Sequence, residues 1–397
     1  MTPFRLLCLT GMLAIFSSTI SKSPVLPLFA QHLGATPSGI GLIASISAFA
    51  GVIFSVPAGL LADRFGTRRL LLTAAAILAS APFAYLLVDT IWQLAMVRLY
   101  HGFATAIFLP VAMALVSGLS TKDRGEKMGW FSTATLAGRF LAPVIGGGIL
   151  GLFSLTSSTG YTTVYWVCGG AGIATFVAAA SLPKAEETQA RQGHSWAETF
   201  HAFKTVILER RIVFTCLVEA AILFAYGTFE TFLPLHAVKN DLSASQVGML
   251  LSGQVIVLAL TKPVMGRFSD THGRRPQIVA GGLLGAACVG GLAVATSFPA
   301  LFSLSLVFGL CLSVAMSATS AYIADLSSQE ARGSAMGLLG SVMDLGHTTG
   351  PLLSGLVAAS FGYGHAFLGS AIVLLGTVGI FSVAARTSLQ EGTGRPA

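Results

Sequence analysis

A small set of ionisable residues in this 397-residue chain sits where charge is least welcome. Lys22, Arg98, His101, Arg139, Glu219, Glu230, Lys262, Asp344 and His347 all interrupt long apolar runs. An ionised side chain in hydrocarbon is costly, and by default it marks a functional site with a partner. Glu219 and Glu230 are eleven residues apart, which is three helical turns, so they share one helix face with Leu223 and Tyr226. Asp344 and His347 are one turn apart and face together. Arg98 has His101 one turn on and Gly102 four positions on. Groups of this kind can hold a charged solute or exchange a proton, and histidine is the side chain whose ordinary titration lies near neutrality. The sequence carries no nucleotide-binding P-loop, no HExxH, no GxSxG and no Cys/His cluster with ligand spacing. The five cysteines (Cys8, Cys168, Cys216, Cys288, Cys311) are odd in number, lie in apolar stretches and suggest neither a metal site nor a disulfide framework. An enzyme, an ATP-driven pump, a metal centre and a cofactor are therefore not expected.

The elements that position these residues follow from composition. Hydrophobic residues make up 54% of the chain and charged ones 10%, against about 25% charged in an ordinary globular domain. Residues 23–62, 99–121, 140–183, 276–324 and 345–385 contain no Lys, Arg, Asp or Glu. A spanning helix needs roughly 20 mainly apolar residues, so the longer gaps each hold two spans and a turn. Porin-like barrels are excluded, because alternating segments of ~10 residues are missing. The expected fold class is an all-α polytopic membrane protein with twelve transmembrane helices near 5–29, 38–61, 69–88, 91–117, 128–152, 162–182, 212–237, 245–268, 277–296, 299–325, 333–359 and 364–385. Arg5 followed by an apolar run mimics a signal peptide, but the run continues through Pro24 and Pro27 without a small-residue cleavage site and reads as a retained first span.

All but five of the 23 Lys and Arg (Lys22, Arg98, Arg139, Lys239, Lys262) fall on one side of that arrangement. Positive charge marks the cytoplasmic side, so both termini are expected there, in an inner (plasma) membrane. The net charge of +7 is thereby spent on the bilayer surface, and no nucleic-acid partner is implied. The stretch 183–211, with Trp196 and a cluster of charges, reads as a cytoplasmic linker whose part from Trp196 to Arg210 has amphipathic character. It separates a first six-helix bundle, 1–182, from a second bundle with a short tail, 212–397.

The two bundles repeat. A shift of 207 superposes Pro27 on Pro234, Gly41 on Gly248, Ser45 on Ser252, Gly59 on Gly266, Asp63 on Asp270, Gly66 on Gly273 and Arg68 on Arg275. A shift of 208 superposes Arg124 on Arg332, Gly129 on Gly337, Gly138 on Gly346, Pro143 on Pro351 and Gly147 on Gly355. Six spans is an even number, so both repeats enter from the same side and are pseudo-symmetric about an axis along the membrane normal. That is an architecture for alternating access.

The turn after span 2, from Gly59 through Asp63, Arg64, Gly66, Arg68 and Arg69, resembles the cytoplasmic loop signature of the major facilitator superfamily, and Gly266, Asp270, Gly273, Arg274 and Arg275 form its copy after span 8. The resemblance extends over essentially the whole chain. It implies that Asp63 latches the cytoplasmic side shut near Gly333 and that Asp270 does so near Met128. Gly138, Arg139, Pro143, Gly146 and Gly147 in span 5 are similar to the signature of the family's proton-coupled drug exporters, with Ala142 where a glycine is expected; span 11 carries a fuller copy at Gly346, Gly350 and Pro351. Arg98 with Gly102 resembles the family's buried arginine motif near the proton path. In this family spans 1, 4, 7 and 10 line the cavity, which puts Lys22, Arg98, His101, Glu219, Tyr226 and Glu230 at the substrate and makes Glu219, His101, Glu230 and Asp344 candidates for proton coupling.

Lys22 and Glu230 stand at nearly the same depth and are expected to pair. Common exporters of cationic drugs are expected to carry an acid in span 1, where this chain has Lys22. The mixed set of charges suits an amphiphilic, zwitterionic or anionic solute. The expected activity is proton-coupled export by a monomer whose partners are the solute, protons and the lipid bilayer; the alternative is a proton-coupled importer of a small metabolite.

Overall fold

A computed structural model describes residues 2–119, 123–183, 209–328 and 332–392, with the side chains of 54–65 and 385–392 outside the description. All regular structure among the described residues is helical. Pro3–Ile20 (α1), Val25–His32 (α2), Pro37–Phe65 (α3), Thr67–Tyr85 (α4), Ile91–Gly118 (α5), Arg124–Gly151 (α6) and Ser158–Ala180 (α7) come first. Arg210–Lys239 (α8), Ala244–His272 (α9), Arg274–Leu292 (α10), Phe298–Leu326 (α11), Arg332–Phe361 (α12) and Tyr363–Gly392 (α13) follow. Eight stretches, α1 with α2 being one of them, are long and apolar enough to cross a membrane, and the chain is a multi-pass membrane protein. Residues 184–208 of the expected linker, including its stretch from Trp196, lie outside the described residues.

Local chemistry sets the ends of these helices. Thr90 caps α5 by accepting from Gln93 N at 3.3 Å, while the Gln93 side chain accepts from Thr90 N at 3.0 Å, a reciprocal capping box. The links α3–α4 and α9–α10 each turn on a single glycine, Gly66 at φ 85° and Gly273 at φ 91°, a conformation that residues with a Cβ avoid. The first span departs from expectation. It is not one helix: residues 21–24 break it, because Pro24 has no N–H to give and disfavours a helical residue before it.

By contact the chain divides into two compact units, Met1–Gly193 with Glu230–Val255 and His194–Phe229 with Ile256–Ala397. In the first, α1 packs on α6 and α7, α3 on α5, and α4 on α5 and α7. In the second, α10 packs on α11 and α13, and α12 on α13. Hydrocarbon gives helices no hydrophobic reason to associate, so close backbone approach carries the packing. A Cβ at Gly138 would meet the Met12 carbonyl oxygen, and a Cβ at Gly346 would meet that of Ala220. Since 12 and 138 become 220 and 346 on the shift of 208, one contact is built twice, once in each unit.

These approaches separate packing glycines from idle ones on a single helix. Gly346→Ala should lower stability by about 1–3 kcal/mol, because α12 must move off α8 to admit the methyl group. Gly340→Ala, where nothing stands within 4 Å of the added Cβ, should be neutral or slightly stabilising. Thermal unfolding of the two detergent-purified variants beside the parent measures the difference, and equal midpoints would remove the packing role of Gly346.

Candidate functional site

Lys22 lies in the break between α1 and α2. Its N–H donates to Thr19 O at 3.0 Å and its carbonyl accepts from Leu26 N at 3.1 Å, so the break keeps its backbone partly satisfied. From there Lys22 Nζ reaches Glu230 Oε2 of α8 at 2.7 Å, with the two side chains 23% and 11% exposed. Arg98 and Arg139 both act on Lys22 as repelling charges. Three cations thus share the neighbourhood of one carboxylate.

Arg98, on α5, is buried. Its Nη2 donates to Ser47 Oγ at 2.6 Å and its Nη1 to the Tyr85 hydroxyl at 3.3 Å. Gly102 makes the first of these possible. A Cβ there would stand 3.0 Å from Ser47 Cα, so the glycine lets α3 close on α5. His101 is also buried, with Nδ1 3.4 Å from the Tyr85 hydroxyl. Tyr85 in turn stacks on Tyr165, centroids 4.5 Å apart and planes 3° from parallel.

In the second unit Glu219 of α8 has no exposed surface. Thr319 of α11 donates to its Oε2 at 2.6 Å, while Oε1 has no hydrogen-bond partner. Lys262 attracts it electrostatically. Tyr226, also on α8, lies against the His347 ring at 5.5 Å. Asp344, half-buried on α12, is one turn before His347. Glu219 and Tyr226 are thus both on the packed side of α8, with partners from different helices.

The two copies of the loop signature are used mainly as helix ends. Arg68 Nη2 donates to Ala180 O at 3.0 Å and Leu182 O at 3.2 Å, closing the C-terminus of α7. Arg274 Nε donates to Asp325 Oδ2 at 3.0 Å, and its Nη1 pairs with Asp270 one turn back. Desolvation opposes the charge on Arg274, but these hydrogen bonds outweigh it and hold the guanidinium above the ordinary arginine range. Arg275 Nε donates to the Tyr322 hydroxyl at 2.6 Å with its guanidinium 5.5 Å from that ring. Arg69 lies in the first turn of α4 after Arg68, and Gly266 has nothing within 4 Å of an added Cβ. Gly59, Asp63 and Arg64 fall on α3, and their side chains lie outside the described residues.

On α6 the expected kink motif packs on two sides. A Cβ at Gly146 would meet Ile20 Cγ1 at 3.1 Å, and one at Gly147 would meet Gly248 Cα at 2.9 Å. A Cβ at Gly248 would in turn meet the Pro143 carbonyl. Arg139 of the same helix is exposed. In the second unit a Cβ at Gly350 would meet the Phe224 carbonyl, and one at Gly227 would stand 2.8 Å from Pro351 Cδ. Among the described residues no group of three or more His, Cys, Asp or Glu could hold a metal ion.

Tyr85, Ser47 and Thr319 hold the buried charges, and sequence reasoning passed over all three. Hydroxyl residues are common in spanning helices, and these meet their partners 13 to 100 positions away. The glycine at 102 was the one local signal of a close approach beside Arg98.

The Lys22–Glu230 pair generates a test. Removing one member leaves an uncompensated charge in a poor solvent, whereas removing both leaves none. Lys22→Met and Glu230→Gln alone should each reduce stability and transport more than the double substitution does. Expression-normalised flux and unfolding midpoints of the three variants check this, and a double variant no better than the worse single one would show that the ion pair is not energetically coupled.

Sequence and fold comparisons agree on what kind of molecule presents these groups. The family model of the Major Facilitator Superfamily matches residues 7–240 and again 215–394, so the duplicated chain satisfies it in two overlapping passes. An MFS-type transporter of Methanocaldococcus jannaschii is 25% identical over 366 residues, covering 91% of this chain and 92% of that protein. The multi-drug resistance efflux pump PmrA of Streptococcus pneumoniae is 26% identical over 365 residues, 88% of each chain. A crystal structure of a bacterial homologue of the human lysosomal transporter Spinster superposes with a TM-score of 0.85 at 16% identity, over 98% of this chain and 97% of that one. The chain belongs to the Major Facilitator Superfamily of transporters, which act on small-molecule substrates, and resembles its drug-efflux branch.

Proposed function

We propose that this transporter is a proton-coupled exporter of an amphiphilic, zwitterionic or anionic organic compound, working as a monomer in the plasma membrane by alternating access. The observation that carries the reading is Glu219, a carboxyl group with no exposure, one hydroxyl donor and one oxygen without a partner. A group in that setting can take up and release a proton as its neighbours change, with Thr319 and Lys262 as the groups whose approach would control it. The name of the Streptococcus pneumoniae relative supports export. The solute class follows from Lys22 and Arg139 near Glu230, a surplus of positive charge that suits a carboxylate or a zwitterion.

The eight apolar stretches together with α3, α4, α10 and α12 make twelve spans, which we assign to two six-helix repeats, 1–182 and 212–397, joined by 183–211. The one-sided distribution of Lys and Arg puts both termini in the cytoplasm. Lys22, Arg98, His101, Glu219, Tyr226 and Glu230 are the residues we assign to the solute. His101, Glu230 and Asp344 remain secondary candidates for the proton. Asp63 and Asp270 serve as latches for the cytoplasmic side. Asp63→Asn removes a charge-assisted contact of about 1.5–3 kcal/mol and should favour the state open to the cytoplasm. Thiol labelling of cysteines placed on the cytoplasmic half of the pathway would rise, and labelling equal to the parent's would exclude the latch.

The decisive variant is Glu219→Gln. In proteoliposomes with an imposed pH gradient it should lose gradient-driven accumulation while keeping solute binding and downhill exchange. Full accumulation by Glu219→Gln would exclude Glu219 as the essential carrier. The same assay tests direction. Solute moving against the proton gradient means export, and solute moving with it means the importer.

A further inference from the structure

The cluster around Arg98 has a feature that the transport reading does not use: each of its unmet groups can donate a hydrogen bond, and its charge is unmatched. Arg98 is 3% exposed, and among the described residues no carboxylate stands within 4.0 Å of it. Ser47 and Tyr85, both neutral, are its hydrogen-bond partners, and its Nε–H has none. The Tyr85 hydroxyl accepts from Arg98, so its own proton is free to go to His101 Nδ1, 3.4 Å away. That arrangement satisfies both groups and assigns the imidazole hydrogen to Nε2, which is buried without a partner. The Tyr165 hydroxyl, on the ring stacked against Tyr85, is likewise buried without a partner. Arg98 acts electrostatically on Tyr85, His101, Tyr165 and Lys22, so the whole group lies within its field.

Water would satisfy the three orphaned donors and leave the guanidinium charge where it is. A lone ion desolvated in protein costs several kcal/mol even after relaxation, and Lys22 adds repulsion rather than relief. A carboxylate from this chain would answer the charge, yet Glu230 is engaged by Lys22. An anion answers both needs at once, as acceptor for N–H and O–H groups and as countercharge. One positive charge calls for a monovalent anion, and the close packing that Gly102 permits between α3 and α5 argues for a small one.

We propose that Arg98, His101 and Tyr165 form a buried binding site for a small monovalent inorganic anion, of which chloride is the natural probe. The anion is a resident countercharge of the first unit, independent of which solute is transported and in which direction.

The test uses the full-length protein in detergent, exchanged into sodium gluconate and titrated with sodium chloride or sodium bromide at constant ionic strength, with thermal unfolding as the readout. The midpoint should rise saturably with either halide. Tyr165→Phe, which keeps the ring and its stacking and removes one donor, should raise the half-saturating chloride concentration about ten-fold. Arg98→Gln should abolish the dependence. If the Arg98 variant does not fold, Tyr165→Phe carries the test alone. A parent midpoint that is the same in gluconate and chloride would overturn the site, as would a parent-like chloride dependence in Tyr165→Phe.

Discussion

Charge inside an apolar helix has to be met by some other group of the protein, and most of what is distinctive in this molecule is a way of meeting it. Water is scarce there, and the attraction between opposite charges recovers the desolvation cost only when geometry is good and remaining donors and acceptors are filled. The chain uses three solutions. Lys22 has a carboxylate at 2.7 Å. Glu219 has a hydroxyl at 2.6 Å and a distant cation. Arg98 has hydroxyls alone. In that order the protein's own countercharge becomes less direct, and the remainder is what the proton proposed for Glu219 and the anion proposed for Arg98 would supply.

Each solution depends on how closely helices approach, and glycine decides that. Gly102 admits Ser47 to Arg98. Gly138 and Gly346 put α1 on α6 and α8 on α12 through the same backbone contact in each unit. The repeat is not perfect at the next turn. Gly350 faces the Phe224 carbonyl so closely that no Cβ fits, while its mate, Ala142, carries one and is fully buried. The methyl group requires α6 to stand further from α1 there than α12 stands from α8. The departure of Ala142 from the exporter signature is therefore a difference in helix spacing between the repeats, located where α6 passes the foot of the broken first span.

The sequence revealed helices, turns and duplication more fully than it revealed partners. Hydropathy marks apolar stretches because the bilayer imposes one length on all of them, and Gly66 and Gly273 mark turns because a positive φ excludes most other residues. The argument that set Lys22 opposite Glu230 rested on depth and on the repeat register, in which Ser23 is the mate of Glu230, and the two side chains do meet. Hydroxyl partners left no such trace. Ser47 and Thr319 differ in no local way from the serines and threonines that bond to carbonyls of their own helix, such as Ser45 to Gly41 O at 2.8 Å. Which of them turns toward a charge is settled by tertiary packing, which a single sequence does not display.

The break in the first span shows how one residue separates two copies of the same element. Pro27 and Pro234 are repeat mates, and α8 runs through Pro234 without interruption. The mate of Pro24 is Thr231, buried within α8. One additional proline therefore divides the first span and not the seventh, and Lys22 stands in the division, whereas its own mate, Phe229, is packed out of contact with solvent. Glu230 in turn is the mate of Ser23, so the ion pair joins positions that are neighbours in the repeat but were never equivalent. The Lys22–Glu230 contact is therefore made once and not twice: its repeat-related counterpart would join Phe229 to Ser23, and neither is charged.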